Sequence, residues 1–260
     1  MVDVGGGTAD IACHQVDDGG RIRQIAAPSG GAWGSTYVDQ NFLTILKQIF
    51  GEEWMDEFKT KYPAKYIEIL GNFREAKKNY KNTDKKKVKK KVYDTTFHNV
   101  KVPFMFQDFM SEKAEEKEEQ EEEEDGVVVG AEEEEDDDAD ALEKMIKNFQ
   151  IMDKKGLIQL EGEYLEISYT LWNYLFDQVV DKIINHVKKL LDSQEMEGCK
   201  YLCLAGGFSQ SKHLQTRIFQ SFGTKSKYEV MIFTPTRPIL SVVDGAARMG
   251  LRPDFISART

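Results

Sequence analysis

The chain has 260 residues, enough for one or two domains with a sizeable core, and its 40% hydrophobic and 11% aromatic content is that of a globular protein. A net charge of −10 gives no support to a general role on nucleic acid or anionic membrane, and no apolar run is long enough to span a bilayer. Three cysteines, Cys13, Cys199 and Cys203, are too few for a disulfide framework and read as small buried hydrophobes in a reducing compartment.

In chain order, Met1 to Val4 reads as the tail of a strand, and Thr8 to Val16 as a second strand. Asp17-Asp18-Gly19-Gly20 is a hairpin turn signal, because Asp and Gly accept positive φ. Arg21 to Ala27 returns as its partner, and Pro28-Ser29-Gly30-Gly31 reads as a loop. From Ser35, the residues Val38, Phe42, Ile45, Leu46 and Ile49 recur at helical spacing up to a stop at Gly51. Trp54 to Lys81 is helical with a break at Pro63, and Val100 to Phe109 carries strand formers. Leu157 to Ile167 reads as a hairpin turning at Gly162, and Leu171 to Leu191 as an amphipathic helix. A buried strand at Tyr201–Leu204 leads into Gly206-Gly207 and a helix over 211–222. A strand at 230–233 and a small-residue helix over 241–250 follow.

Charge is unevenly spread. Residues 112–140 hold eighteen acids against two lysines, a low-complexity tract predicted to be disordered because it repels itself and offers no core. Lys77 to Lys91 holds nine lysines and one Asp, and reads as a solvated insertion rather than a nuclear signal. Met1 is followed at once by Val2, Asp3 and three glycines, which is not a leader pattern. The expected location is the cytoplasm, with the nucleus as the alternative.

Two segments carry chemistry. In Asp3-Val4-Gly5-Gly6-Gly7-Thr8-Ala9-Asp10, three glycines between two strands let backbone amides approach phosphate oxygens, and Thr8 adds a hydroxyl. Asp3 and Asp10 bracket the turn and could face a hydrated divalent cation such as Mg²⁺. In Leu204-Ala205-Gly206-Gly207-Phe208-Ser209, a strand ends in two glycines and opens a helix, where an anion or a flat ring can lie close. A third segment, Val243-Asp244-Gly245-Ala246-Ala247, reads as close helix packing. His14, His98, His186 and His213 show no ligand spacing.

In this order the three segments resemble the second-lobe signatures of the actin and heat-shock-protein-70 ATPases. The Ser29-Gly30-Gly31-Ala32-Trp33-Gly34 loop, with Phe50 to Trp54 and Phe73 to Tyr80, is similar to the heat shock 70 kDa protein 12 subfamily. The resemblance implies an α/β fold: lobe II of an actin-like (ribonuclease H-like) ATPase domain, with an inserted, mainly helical α+β subdomain. The core subdomain would be 1–30 and 176–260, and the insertion 31–175. It also implies ATP or ADP with Mg²⁺. Gly5, Gly6, Gly7 and Thr8 would hold the phosphates, and Asp3, Asp10 and Thr8 would serve catalysis, the two aspartates through metal-bound water. Gly30 and Gly31 would line the cleft, Lys77 would reach the nucleoside, and Gly206 and Gly207 would pack on the adenosine.

The chain departs from the family at Arg74, where an acid is usual three residues before the lysine, and at Gln210, where an Arg usually stacks on adenine. A first lobe with its own phosphate loop is expected to lie outside this sequence. The expected function is thus that of an ATP-binding, chaperone-related protein, whose partners are nucleotide and client or signalling proteins. The alternative is a catalytically inactive actin-fold interaction protein. A sugar-kinase relative on the same fold is disfavoured, since no sugar-binding constellation is present.

Overall fold

A computed structural model describes residues 1–81, 97–125, 141–251 and 256–258. In chain order its elements are β1 (Val2–Val4), β2 (Ala9–Val16), β3 (Ile22–Gly31), α1 (Thr36–Phe50), α2 (Glu52–Lys61) and α3 (Pro63–Asn79). Then come β4 (Phe97–Lys101), α4 (Phe104–Asp125), α5 (Ala141–Asn148), β5 (Ile158–Glu161), β6 (Tyr164–Ser168) and α6 (Tyr169–Leu191). The chain closes with β7 (Tyr201–Ala205), α7 (Lys212–Phe222), β8 (Met231–Phe233), α8 (Ser241–Gly250) and β9 (Ile256–Ala258). They form two compact units, one of residues 1–40, 80–84 and 173–260, the other of 41–79 and 85–172. The outer divisions fall inside α1 and α6, where the sequence reading placed them at 30/31 and 175/176, and the short segment 80–84 returns to the first unit.

The first unit is built on a six-stranded sheet in the order β8-β7-β1-β2-β3-β9. β1, β2 and β3 form an antiparallel meander, while β7 and β8 run parallel to β1 on its other side. A meander β3-β2-β1 continued by two parallel strands is the strand plan of a ribonuclease H-like lobe, the fold class expected from the sequence. β1 and β7 alternate, and one face of each is buried: Val2, Val4, Leu202 and Leu204 turn to the core while Asp3 and Cys203 between them are only half-buried. α6 contributes Phe176, Val179, Val180, Ile183, Ile184 and Val187 to this core, and α7 adds Leu214, Ile218 and Phe222. Their spacing is the 3.6-residue period that made both helices readable. Ser211 caps α7 by accepting from the Leu214 amide. Tyr80, fully buried, stacks on Phe176 at 5.4 Å and donates its hydroxyl proton to Asn173 Oδ1.

One loop of the sequence reading is strand. β3 runs on through Pro28 to Gly31, because Ser29, Gly30 and Gly31 pair with Ile11, Asp10 and Ala9. Register slips between Ile11 and Cys13, and again before His14, leave extra residues on β3. Pro28 falls in the first of these irregularities, where the missing N–H costs the ladder nothing.

The second unit pairs a three-stranded antiparallel sheet, β4-β6-β5, with helices. Its centre is aromatic. Phe73 lies between Phe42 and Trp172, with ring centroids 4.1 and 5.1 Å away and planes within 4°. Phe58 meets Phe106 edge-on at 5.2 Å and Phe109 at 5.5 Å. The Trp172 indole N–H donates to the His98 carbonyl at 3.0 Å, so the ring's polar edge is satisfied on burial.

The strand formers of 100–109 divide: β4 ends at Lys101, and Pro103 precedes α4. α4 also corrects the disorder expected over 112–140, since helix continues to Asp125. Its first turns are anchored by buried Phe106, Phe109, Met110 and Ala114. Glu is a good helix former, so the anchored helix propagates into the acidic run. Lys113 offsets part of the charge with Glu57 at 3.4 Å and Glu116 at 3.3 Å. Residues 126–140, and the lysine run from 82 onward, lie outside the described residues.

Phe73→Ala should cost about 3–5 kcal/mol of stability, because it empties the middle of a three-ring stack. Chemical denaturation followed by tryptophan fluorescence, which reports on Trp172, checks this.

Candidate functional site

Both glycine segments leave the sheet at the same end. β1 and β7 are parallel neighbours, paired Val2 to Leu204 and Asp3 to Ala205, so Gly5 and Gly206 follow adjacent strand ends. β2 starts at this end and β3 finishes there, with Asp10 opposite Gly30 and Ala9 opposite Gly31. Of the residues read from the sequence, Asp3, Gly5, Gly6, Gly7, Thr8, Asp10, Gly30, Gly31, Gly206 and Gly207 are therefore gathered at one sheet edge. Lys77 is half-buried near the end of α3, in the second unit.

The first loop is a tight turn closed by the Gly5 amide donating to the Thr8 carbonyl at 2.9 Å. Its carbonyls are held by the segment before α1. Ser35 N–H donates to Gly5 O at 3.1 Å, Thr36 N–H to Gly6 O at 2.9 Å and Gly34 N–H to Gly7 O at 3.2 Å. The Thr36 hydroxyl adds a second bond to Gly6 O at 2.8 Å. Gly34 must be glycine for this clamp, since a Cβ there would stand 2.1 Å from Gly6 O. Among the described residues no hydrogen bond engages the amides of Gly6 and Gly7, which are exposed. Nothing stands within 4 Å of where a Gly7 Cβ would be.

The second loop presses on the first strand. Gly206 has φ +82°, and a Cβ there would lie 2.3 Å from both Asp3 Oδ1 and Val4 O. Its amide donates to Pro238 O at 3.0 Å, and Ile239 Cδ1 stands 3.6 Å from the Gly207 Cβ position. A recess of about 500 Å³ opens beside this loop, lined by Gln210, Lys212, Gln215, Arg237 and residues 234–236. Gly30, at φ +155°, lets β3 lie against Ala9 O, which a Cβ would approach to 2.0 Å, and Gly31 lies under the Trp33 ring.

Two carboxylates face this end. Asp3 and Asp10 are paired across β1 and β2. The Thr8 hydroxyl donates to Asp10 Oδ2 at 2.8 Å, which fixes that carboxylate and leaves Asp10 exposed. Asp3 is half-buried, and burial, with Asp10 nearby as a second contribution, pushes its pKa above the usual carboxylate value. A group that lowers this repulsion, a proton or a hydrated cation, suits the pair. Among the described residues no cluster of three or more His, Cys, Asp or Glu is placed to hold a metal directly. The clamp of Gly34, Ser35 and Thr36 was not singled out from the sequence. Its only signal is Gly-Ser-Thr ahead of a helix, which looks like an ordinary helix start.

A ribonuclease H-like lobe with two glycine loops and a carboxylate pair at one sheet end is the class that fold and site define. No family model matches the chain. Over its whole length it is homologous to the heat shock 70 kDa protein 12 proteins, as the sequence resemblance implied. Heat shock 70 kDa protein 12A of Mus musculus and of Homo sapiens are each 28% identical to it over all 260 residues, and the human protein 12B is 27% identical. The chain spans 32% of the length of each of these relatives. Among solved structures, an activator of the 2-hydroxyisocaproyl-CoA dehydratase from Clostridium difficile with bound ADPNP aligns with 95% of this chain and 57% of its own, at 12% identity. The TM-score of that alignment is 0.35.

Two outcomes follow from the geometry. Gly206→Ala should destabilise the protein by about 1–3 kcal/mol from its left-handed backbone alone, with the clash against Val4 O added. Gly7→Ala should stay within about 0.5 kcal/mol of the parent. Thermal denaturation of the two variants separates them.

Because the Asp3 pKa is raised in the folded state, the folded state binds its proton more tightly than the unfolded chain does. That contribution to stability is fully present below the unfolded value and is lost as pH rises through the folded value. In metal-free buffer, Asp3→Asn should therefore raise the melting temperature at pH 7, and its advantage should shrink as pH falls toward the carboxylate range. Melting curves across pH check this, and an Asn variant that is less stable at pH 7 refutes it.

Proposed function

We propose that the glycine-lined sheet end binds the phosphates of ATP or ADP, as part of an ATP-binding, chaperone-related protein. The observation that carries this reading is the convergence of two loops far apart in sequence. One has its Gly6 and Gly7 amides open and its carbonyls tied back, and the other is so close to Asp3 and Val4 that no side chain fits. Folding alone requires the close approach. It does not require Gly6 and Gly7 to leave donors unengaged at the same edge, and exposed backbone donors on a strand end suit an anion.

In this reading the Gly6 and Gly7 amides and the Thr8 hydroxyl meet phosphate oxygens. Asp3 and Asp10 hold magnesium through its water shell, which supplies charge neutralisation at the phosphates. Thr8, bonded to Asp10, keeps that carboxylate turned to the same edge. Gly206 and Gly207 leave room for the nucleoside beside the recess of Gln210 and Arg237. Client proteins and the role of hydrolysis belong to the same proposal.

Titration calorimetry with ADP and Mg²⁺ tests the reading. The parent chain should bind. Asp10→Ala should weaken binding several-fold only while Mg²⁺ is present, and Gly7→Ala should weaken it without changing the fold. Binding that is unaltered by Gly7→Ala and by chelation of the metal would place the nucleotide elsewhere.

A further inference from the structure

The recess beside the second glycine loop has walls of defined chemistry. One wall is the first turn of α7, with Lys212 and Gln215, and the other is the segment 234–239 between β8 and α8. The second wall is stiff. Pro235 and Pro238 fix their own backbone angles, and the Arg237 carbonyl accepts from the Leu240 amide at 3.0 Å and from the Ser241 hydroxyl at 3.3 Å. Because the Pro238 carbonyl also holds the Gly206 amide, the recess and the glycine loop share this wall. Its volume of about 500 Å³ lies within the usual range of small-molecule sites.

The lining holds two cations, Lys212 and Arg237, and no carboxylate. Among the described residues no ion pair engages either cation. Lys212 Nζ donates to Gln215 Oε1 at 3.0 Å, and Gln215 Nε2 donates to the Ser209 carbonyl at 2.8 Å. Both ends of the Gln215 amide are thus committed to holding the loop. The Arg237 side chain is exposed at the recess, and no hydrogen bond among the described residues occupies its guanidinium.

Groups of this kind read a base by the sense of its edge. Adenine presents an acceptor, N7, beside a donor, the 6-amino group, and a glutamine amide matches that pair. Guanine presents two acceptors at the same place, N7 and O6, and a guanidinium fork meets them with two parallel N–H bonds. In this recess Gln215, whose amide suits adenine, is committed to structure, while Arg237, whose fork suits guanine, is free to engage. Gln210 is exposed, and its amide can turn to present either sense, so adenine keeps a partner.

We propose that the recess takes guanine as well as adenine, so that the glycine-lined sheet end binds GDP and GTP at least as tightly as ADP and ATP. Arg237 is the residue that reads the O6–N7 edge. The remaining donors of guanine, N1–H and the 2-amino group, find acceptors in the Thr234 and Thr236 hydroxyls and in water. This proposal rests on the reading of the glycine loops as a phosphate site and concerns only the base.

Titration calorimetry of the full chain with ADP and with GDP, each in the presence of Mg²⁺, gives the ratio of the two affinities. GDP should bind at least as tightly as ADP. Arg237→Gln removes the fork and supplies an amide that suits adenine, and should move the ratio toward ADP on the order of tenfold. GDP binding weaker than that of ADP by about tenfold or more overturns the proposal, and so does a ratio that Arg237→Gln leaves unchanged. ADP binding that responds to Gly7→Ala while GDP is excluded keeps the phosphate reading and sinks this one. Absence of binding by either nucleotide removes both.

Discussion

The approach of Gly206 to β1 is the constraint on which the functional end of the molecule depends. A backbone atom that must lie against both a carboxylate oxygen and a strand carbonyl admits no side chain, and only a left-handed residue can turn the chain there. That contact ties the end of β7 to the end of β1. The parallel pairing of the two strands then fixes where each loop emerges, and the antiparallel meander brings Thr8, Asp10 and Gly30 to the same place. The carboxylate pair sits under the same contact: Asp3 is half-buried with Gly206 against its Oδ1, and burial, followed by the nearby Asp10, raises its pKa.

Most of this was legible because glycine and hydrophobic period leave strong marks. The Leu171–Leu191 stripe gave α6 almost whole, and the strand before Gly206 gave β7, since each signal is local. Two elements were hidden by composition. The end of β3 is written in Pro, Ser and Gly, residues that strands avoid, and only pairing with β2 makes it strand. The outer part of α4 is written in glutamate, where self-repulsion argues for disorder, yet anchoring by Phe106, Phe109 and Met110 lets helix propensity prevail. In the site, the glycine loops were readable, but their clamp was not. Gly34, Ser35 and Thr36 act on carbonyls about thirty residues away, and no local pattern encodes a contact of that range.

The two units use different means to stay rigid. The first relies on alternating aliphatic layers over a sheet, with His213, Arg217, Asp177 and Asp181 joining α6 to α7 at its polar margin. The second relies on flat rings: Phe42, Phe73 and Trp172 are nearly coplanar in orientation, and Trp172 is pinned by one bond to His98 O. His98 in turn meets the Ala76 carbonyl through Nε2 at 2.8 Å, so strand β4 is held to α3 and to Trp172 through one residue.

The bonds from the residues before α1 to the glycine loop have a consequence for how the region opens. The Thr36 amide is one of the donors that a helix leaves unpaired at its start, and such donors ordinarily turn to a side chain or to water. Here Thr36 gives its amide and its hydroxyl to one carbonyl of the loop, with Ser35 and Gly34 engaging the carbonyls on either side. The loop is thus the cap of the helix, and the helix start is the brace of the loop. Neither can fray alone without stranding the polar groups of the other, so the two share one opening free energy and form a single cooperative unit of local unfolding. A loop with three consecutive glycines, which on composition would be the softest part of the chain, takes its stiffness from the first turn of α1.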